Sequence, residues 1–273
     1  MGLDSLMPEA VAVVIPTFNS SVTIERALES VVGQTRLPTE VIVIDNASAD
    51  DTVARVRAFA SQYQSMAWTI EVVPANIGPG AARNRGWNLA KSDLIAFLDS
   101  DDSWHPEKLR LQSETTCAFP ESVIFGHRYL VLRQDEVTPR DVDERSTKVI
   151  DRFELHHFLI RNRLSTPTVM VRREITQRFP IDFWYGEDYA LWLGVVAAHG
   201  AAIFQQYALT YLHKAPYGER GLSANMAQMH RGEIFAIKHL RNSGYIGRLG
   251  SSLTTAWMGV KYARRRIELM RRV

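Results

Sequence analysis

Hydrophobic residues in the first hundred positions form short continuous runs separated by segments of helical spacing. Four runs rich in β-branched and aliphatic residues predict strands at 11–15, 41–44, 69–73 and 94–98. Between them, apolar residues recur every three or four positions, as at Ile24, Leu28 and Val31, which predicts helices from about 24, 52 and 80. Ser20 and Ser21 are candidate N-caps of the first helix. Fully apolar strands that alternate with helices are typical of α/β folds with a mainly parallel central sheet flanked by helices.

The pattern changes after about residue 120. We expect one α/β domain over residues 1–215, in which 8–115 form a ligand-binding half and 116–215 a second half, followed by a C-terminal helical extension over 216–273. In the second half, apolar runs predict strands at 123–125, 129–132 and 168–171, helices at 153–160 and from Glu187 to the residue before Gly200, and a polar loop at 138–147.

Polar residues and glycine follow each of the first four predicted strands. In open sheets of this kind, ligands bind beyond the carboxyl ends of the strands. The residues at these positions therefore predict a binding site along one edge of the sheet: Pro16, Thr17, Phe18, Asn19, Asp45, Asn76, Gly78, Asp99, Ser100 and Asp101.

Composition is that of an ordinary soluble globular protein, with 46% hydrophobic and 23% charged residues. A formal net charge of +2 is too small to favour a nucleic-acid partner.

Cys117 is the only cysteine, so an intrachain disulfide is excluded, and a reducing compartment fits this count. The N-terminus lacks signal-peptide and myristoylation patterns, and His199 and Gly200 interrupt the longest apolar tract, at 191–204. We therefore expect a cytoplasmic protein without a transmembrane segment.

An acidic cluster, Asp99, Asp101 and Asp102, stands directly behind the fourth predicted strand. Crowded carboxylates repel one another, so such a cluster is typical of a site where a cation or a set of donors neutralises it. A solvated turn rich in Asp and Ser is the alternative.

The stretch "GPGAARNRG" from Gly78 allows two interpretations. It follows a strand and opens a helix, as a dinucleotide-binding fingerprint does, but Arg83 occupies the third position, where that fingerprint needs Gly or Ala. A nucleoside diphosphate site with Mn²⁺ or Mg²⁺ fits better. Asp101 would then be a metal ligand, and Arg83 at the helix start would meet a phosphate.

Four stretches in this order, "VVIPTFN", "VIVIDNASADDT", "NIGPGAARNRG" and "LIAFLDSDD", resemble the nucleotide-binding half of the family-2 glycosyltransferases, which have the GT-A fold. The resemblance is strong over about 10–115 and weaker to about 215. It implies that Pro16, Thr17 and Asn19 line the nucleoside pocket, that Asp45 faces the uracil, that Asp99 holds the ribose and that Asp101 binds the metal. Phe18 stands where tyrosine is often found, so the ring is kept and a hydroxyl contact is lost.

A second chemical signal is "YGEDYALWL" at 185–193. Glu187 and Asp188 precede an apolar helix, where acidic residues also serve as N-caps. The resemblance implies that Asp188 is the catalytic base of an inverting enzyme, with Glu187 beside it, and that His213 reaches the diphosphate or the metal. A solvated or core histidine is the alternative for His213. Trp184 and Trp192 could stack on a sugar or simply pack.

The C-terminal tail combines an apolar face with many basic residues. This composition suits the surface of an anionic membrane, which would make the protein peripheral at its inner face, although a solvated terminal helix is the alternative. The apolar residues are Trp257, Val260, Ile267 and Met270, and the basic ones are Lys261, Arg264, Arg265, Arg266, Arg271 and Arg272.

Taken with the resemblance to the family-2 glycosyltransferases, these features imply a metal-dependent, inverting glycosyltransferase of the hexosyltransferase type. It would move a sugar from a UDP-sugar to a hydroxyl of a saccharide or lipid-linked saccharide acceptor, in bacterial polysaccharide or glycoconjugate assembly. Two alternatives remain at this point: a nucleotidyltransferase, and a catalytically silent protein that binds a nucleotide sugar.

Overall fold

The computed structural model describes residues 9–132, 149–213 and 225–270, with the side chains of 268–270 left out. Within these residues, nine strands form one sheet: β1 Val11–Thr17, β2 Glu40–Asp45, β3 Ala67–Val72, β4 Leu94–Phe97, β5 Ser103–Trp104, β6 Ile124–Val131, β7 Ile150–Phe153, β8 Met170–Arg172 and β9 Ala202–Leu212. The helices of the same residues are α1 Ile24–Val32, α2 Thr52–Gln62, α3 Pro79–Leu89, α4 Lys108–Ala118, α5 Leu155–Ile160, α6 Glu187–His199, α7 Met226–Asn242 and α8 Arg248–Met270.

The first four strands form the predicted parallel half of the sheet. The sheet order is β3-β2-β1-β4-β8-β6-β9-β5, and β7 pairs with β9. β1 lies between β2 and β4 and runs parallel to both, and β2 runs parallel to β3. The carboxyl ends of these four strands therefore meet at one edge, which gathers the predicted site residues.

The second half makes the sheet mixed. β8 is antiparallel to β4 and β6, and both β5 and β7 are antiparallel to β9. A single strand, β6, covers the two segments predicted as strands at 123–125 and 129–132. A bulge between His127 and Tyr129 shifts its register against β9. The strand predicted at 168–171 is β8, which begins at Met170 after a 3₁₀ turn at Thr166–Thr168. The polar loop predicted at 138–147 lies outside the described residues.

Four elements were not predicted from the sequence, one of them the two-residue strand β5. β9 begins two residues after Gly200, where His199 and Gly200 interrupt the apolar tract only briefly, and the few apolar residues that follow are too short a run for periodicity to identify a strand. β7 occupies positions directly before α5, so the helix predicted from 153 begins at Leu155. α4 buries a largely polar face that includes Gln112, Ser113 and Thr116, so it carries little apolar signal.

The predicted caps of α1 are wrong. The N-cap is Thr23, without a side-chain cap bond. The backbone carbonyl of Ser20 accepts from the amides of Thr23 and Ile24, while its hydroxyl lies 2.8 Å from that of Ser100. Ser20 thus ties the first loop to the acidic loop instead of capping the helix.

Alternate residues of β1 enter two apolar clusters, one on each face of the sheet. Val13 and Ile15 belong to one cluster, and Ala12 and Val14 to the other, as expected for a sheet covered on both sides. The second of these clusters also contains Ala236, Ile237 and Leu240 of α7 and Met258 of α8. The C-terminal helices therefore pack on the main unit.

The domain boundary predicted at 215/216 stays a prediction, since it lies outside the described residues. None of the helices described within 9–132, 149–213 and 225–270 is both long and apolar enough to cross a bilayer.

Candidate functional site

Asp45, the last residue of β2, is a buried carboxylate with unused bonding capacity. It is 1% exposed, and its Oδ2 accepts from the amide of Ser48 at 2.9 Å. Its Oδ1 and the Oγ1 of neighbouring Thr17 are buried and form no hydrogen bond with the described residues. Buried polar groups normally have partners, so a ligand with an N–H donor would complete this corner of the sheet edge.

Asn19 joins the loop after β1 to the loop after β2. Its amide donates to the hydroxyl of Ser48 at 2.8 Å, and its Oδ1 accepts from the amide of Ala49 at 2.8 Å. The backbone of Asn19 has a φ of 49°, in the left-handed region that asparagine tolerates better than most residues. Asn19 thereby holds Phe18 at the rim, where its ring is 46% exposed, while Pro16 is half-buried in β1.

A pair of asparagines fixes the loop after β3. Asn76 Oδ1 accepts from Asn46 Nδ2 at 2.8 Å and from the amide of Gly78 at 2.9 Å, and Asn46 Oδ1 accepts from the amide of Ile77 at 2.8 Å. Asn46 was not among the predicted site residues, although its position directly after Asp45 could have identified it.

Gly78 brings Trp184 to this loop. Its φ is +85°, and a Cβ at this position would lie 2.4 Å from Trp184 Nε1, so only glycine fits. Trp184 is 42% exposed and can offer its ring to a ligand. Trp192, by contrast, is fully buried against Phe97 and Phe179, so the suggestion that it stacks on a sugar is wrong.

Two arginines explain how the acidic cluster is tolerated. Arg83 Nη2 donates to Asp99 Oδ1 at 2.6 Å, and Arg26 Nη2 donates to the backbone carbonyl of Asp101. Burial lowers the pKa of Arg26, and the carboxylates of Asp102 and Asp101 oppose that shift. Arg26 was not predicted, because nothing in its surroundings on α1 distinguishes it from a solvated helix residue.

Arg83 pairs with two carboxylates, and its predicted contact with a phosphate stays a prediction. One terminal nitrogen is bonded to Asp99, and the other lies 3.0 Å from Glu187 Oε1. Burial disfavours its charge, but Asp99 and Glu187 outweigh that cost and raise its pKa. Both terminal nitrogens are thus taken up by carboxylates, and the guanidinium links α3 to the start of α6.

Glu187 and Asp188 lie in the first turn of α6, and the N-cap is Gly186, so the alternative that either acid is the cap is wrong. Gly186 has a φ of +72°, and a Cβ at Gly232 of α7 would lie 1.9 Å from the carbonyl oxygen of Tyr185. Close contact with α7 therefore sets where the two carboxylates stand.

Burial dominates the titration of both carboxyls. It raises the pKa of Glu187 to about 7, with a further increase from Asp188 and an opposing effect from Arg83. It also raises the pKa of Asp188, although Tyr189 donates its amide to Oδ1 at 2.7 Å and Asn162 Nδ2 lies 3.4 Å from Oδ2. Asn162 was not predicted.

His213 and Asp101 lie on the same side of the acidic loop. His213 Nε2 is 2.8 Å from the hydroxyl of Ser103. Burial and the charge of Arg26 lower the pKa of His213 to about 4, and Asp101 opposes that shift. The imidazole is therefore neutral near pH 7, which is the form that binds metals.

The described part of the chain contains no group of three His, Cys, Asp or Glu residues that could enclose a metal ion. Asp101 is half-buried at the loop, so its carboxylate still fits a cation that takes most of its other ligands from phosphate oxygens and water, as Mg²⁺ commonly does.

Comparisons with known proteins agree on one family. The model of the family "Glycosyl transferase family 2" matches residues 12–177. TuaG of Bacillus subtilis, described as a putative teichuronic acid biosynthesis glycosyltransferase, is 31% identical over 193 residues, covering 68% of this chain and 71% of the relative. WfgD of Escherichia coli, described as UDP-Glc:alpha-D-GlcNAc-diphosphoundecaprenol beta-1,3-glucosyltransferase, is 28% identical over 189 residues, covering 68% and 69%.

Solved structures show the same fold. The structure of TarS from S. aureus in complex with UDP-GlcNAc aligns with a TM-score of 0.70 at 19% identity, covering 91% of this chain and 71% of that one. The mannosyltransferase PcManGT from Pyrobaculum calidifontis, in complex with GDP-Man and Mn²⁺, aligns with a TM-score of 0.63 at 17% identity, covering 94% and 74%. The GT-A fold expected from the sequence is therefore confirmed.

Proposed function

Because the chain belongs to glycosyl transferase family 2, we propose that it moves a sugar from a UDP-sugar to an acceptor hydroxyl, with inversion at the anomeric carbon. The family predicted from the four sequence motifs is confirmed, and the chain is a glycosyltransferase. The proposed setting is bacterial polysaccharide or glycoconjugate assembly, which the descriptions of TuaG and WfgD support.

The nucleoside pocket of the proposal lies at the ends of β1 and β2. The unused acceptor atom of Asp45 suits the ring N–H of uracil, and the exposed ring of Phe18 can stack on a base. Pro16, Thr17, Asn19, Asn76 and Gly78 would form its walls, and Asp99 and Ser100 would face the ribose. Guanine also carries ring donors, so competition between UDP and GDP tests the choice of donor.

Asp188 is the proposed base, and its position carries the proposal. Arg83 bridges Glu187 and Asp99, which supports a position of the adjacent Asp188 near the proposed donor site. Asp188 would take the proton of the acceptor hydroxyl while the oxygen attacks the anomeric carbon opposite the departing UDP. A carboxyl whose pKa is raised by burial is a stronger base than an ordinary aspartate. No protein nucleophile is needed for such a single displacement.

Asp101 and neutral His213 are the residues that would hold Mn²⁺ or Mg²⁺. A bound divalent cation offsets the charge of the diphosphate and of the departing UDP. Arg26 adds a positive charge on the same side, because it contacts Asp101 through the backbone.

The acceptor is proposed to be a saccharide or a lipid-linked saccharide. The name of WfgD contains such an acceptor, and α8 suits contact with the inner face of a membrane. Leu249, Leu253, Trp257, Val260 and Ile267 follow one another at helical spacing and are all exposed. Of the residues predicted for this surface, the side chain of Met270 and both Arg271 and Arg272 lie outside the described residues.

A UDP-release screen tests the function. The protein is incubated with common UDP-sugars, Mn²⁺ or Mg²⁺, and saccharide or lipid-linked acceptors. The proposal expects UDP release that depends on both acceptor and metal. Release of pyrophosphate from a nucleoside triphosphate would instead indicate a nucleotidyltransferase. Binding of UDP without turnover would indicate a silent binding protein, which has no need for the buried Arg83–Glu187 pair beside Asp188.

A further inference from the structure

A polar cavity lies outside the donor site, and two of the arginines that line it flank Asn162 in the chain. It has a volume of about 500 Å³ and is lined by residues of β6, β9 and the segment after α5, among them Arg128, Tyr129, Arg161, Arg163, Ser165 and Gln206. None of these residues has a role in the donor site described above. The wall residue His127 is neutral, because burial and the charge of Lys108 lower its pKa to about 3. The positive charge of the cavity therefore comes from its arginines.

The arginines of this cavity are close to one another and poorly compensated. Burial lowers the pKa of Arg163, the charge of Arg161 lowers it further, and Asp151 opposes the shift. Arg163 lies over the ring of Phe153, with its guanidinium carbon 4.9 Å from the centroid. Its Nε is buried without a hydrogen bond to the described residues. Neither Arg161 nor Arg163 forms a salt bridge within the described chain. Like charges held together in this way favour a multivalent anion as ligand.

The position of these arginines relates the cavity to the reaction. Asn162, which stands between Arg161 and Arg163 in the chain, is the residue that contacts the carboxylate of Asp188 at 3.4 Å. Because Asn162 adjoins both arginines in the chain, we place the hydroxyl that Asp188 would deprotonate within reach of the cavity. In a sugar diphosphate, the distance from any hydroxyl of the sugar to the diphosphate is no more than about the width of one sugar ring. An acceptor of this kind could place its hydroxyl at Asp188 and its diphosphate at the two arginines.

The exposed apolar side of α8 begins next to the same segment. The backbone carbonyl of Ile160 accepts from Trp257 Nε1 at 3.0 Å and from Lys261 Nζ at 2.9 Å. Ile160 and Trp257 are 48% and 45% exposed. Apolar surface therefore adjoins Arg161, where the hydrocarbon chain of a lipid diphosphate would leave the cavity.

We propose that the cavity of Arg128, Arg161 and Arg163 binds the diphosphate of a lipid-linked saccharide acceptor. This inference rests on the proposed function, because it assumes that Asp188 is the base. It adds a second diphosphate site, distinct from that of the donor, and it restricts the acceptor class to sugars carried on a lipid diphosphate.

The test is calorimetric titration of the full chain with farnesyl diphosphate, in the presence of saturating UDP and Mn²⁺ so that the donor site is filled. We expect binding of farnesyl diphosphate, weaker binding of inorganic pyrophosphate and none of farnesol. The double variant Arg161→Gln/Arg163→Gln should bind farnesyl diphosphate at least about tenfold more weakly, since two charge-assisted contacts are lost. Arg152→Gln is the matched control, because Arg152, on neighbouring β7, is an exposed arginine that pairs with Glu121.

Several results would overturn the inference: no binding of farnesyl diphosphate to the wild type, equal affinity in the double variant, or displacement of farnesyl diphosphate by UDP, which would place it in the donor site. If the double variant also loses UDP affinity, Arg161→Gln alone decides, since Arg161 is exposed and its replacement leaves the core intact. Failure of the proposed function would look different, because UDP itself would then not bind, or no sugar would be transferred to any acceptor.

Discussion

Arg83 Nη1 donates to Glu187 Oε1 at 3.0 Å, and both side chains are almost fully buried. The two residues are 104 positions apart and belong to α3 in the N-terminal half of the sheet and α6 in the second half. The contact joins the two halves beside the proposed site of donor and acceptor. Because Arg83 also bonds Asp99, a change at this residue should affect stability and donor binding together.

We expect Arg83→Gln to lower the free energy of unfolding by about 3–5 kcal/mol, since removing one partner of a buried ion pair leaves the other charge uncompensated. Urea denaturation measures this change. Arg85→Gln is the control, because Arg85 lies on the same helix and pairs with Glu71 in a largely exposed position, where such pairs contribute about 0–1 kcal/mol. Equal losses in the two variants would show that the Arg83 bridge does not stabilise the fold.

The second prediction concerns the base. Asp188→Asn keeps the size of the side chain but cannot accept the proton of the acceptor, so turnover should fall by about a hundredfold to ten-thousandfold. UDP affinity and the thermal midpoint should stay close to the wild type, because Asp188 does not cap α6. Transfer rate, UDP affinity and melting are measured together for Asp188→Asn and Glu187→Gln. Normal turnover of Asp188→Asn would place the base elsewhere, and loss of turnover only in Glu187→Gln would assign it to the neighbouring carboxyl.

The sequence determined the nucleotide-binding half well and the second half poorly, for physical reasons. β1, β2 and β4 are buried on both faces, so their apolar runs stand out, and the residues at their ends follow from the parallel order. β9 and α4 gave weak signals, because β9 follows a helix after only a brief break in the apolar tract and α4 buries polar side chains. Contacts between distant segments, such as Arg83 with Glu187 or Asn162 with Asp188, depend on how α6 packs on α3, which no local pattern contains.

The third prediction is the pH dependence of turnover. Burial raises the pKa of Asp188 and raises that of Glu187 to about 7. A protonated carboxyl cannot take the acceptor proton, so activity should be present above these pKa values and should be lost as the pH falls through them. We therefore expect the acid limb of kcat to lie above the ordinary carboxyl value of about 4. Because the two groups are adjacent, the limb belongs to the pair.

A profile of kcat against pH at saturating substrates checks this expectation, with Glu187→Gln as the comparison. If the limb remains above the ordinary range in that variant, the raised pKa belongs to Asp188. An acid limb near pH 4 in the wild type would mean that burial does not control the base.

The fourth prediction concerns the metal. Asp101→Asn should remove most of the Mn²⁺-dependent part of UDP affinity while leaving the fold intact, because it deletes a charged oxygen ligand from a partly exposed loop. Calorimetric titration with UDP, with and without Mn²⁺, measures this part. Asp51→Asn is the control, since Asp51 is an exposed carboxylate before α2 without a side-chain cap bond. Mn²⁺-dependent binding that is unchanged in Asp101→Asn would reduce the acidic cluster to a polar turn stabilised by Arg26 and Arg83.

The last prediction concerns α8 and the membrane. Leu249 and Leu253 are 74% and 64% exposed on one side of the helix, and α8 carries five basic residues against one acidic residue. Apolar side chains that enter the headgroup region and basic residues that meet anionic lipids should act together. Leu249→Gln with Leu253→Gln should therefore reduce co-sedimentation with phosphatidylglycerol vesicles, while the core residue Met258 stays in place and the fold is kept. Added salt should weaken the binding of the wild type, because charges near a surface are screened.

Leu37→Gln, which alters a leucine that is 56% exposed near α1, is the control for a general loss of apolar surface. If the double variant sediments like the wild type, or if the control loses as much, α8 is a solvated helix, and the lipid of the acceptor must reach the active site by another surface.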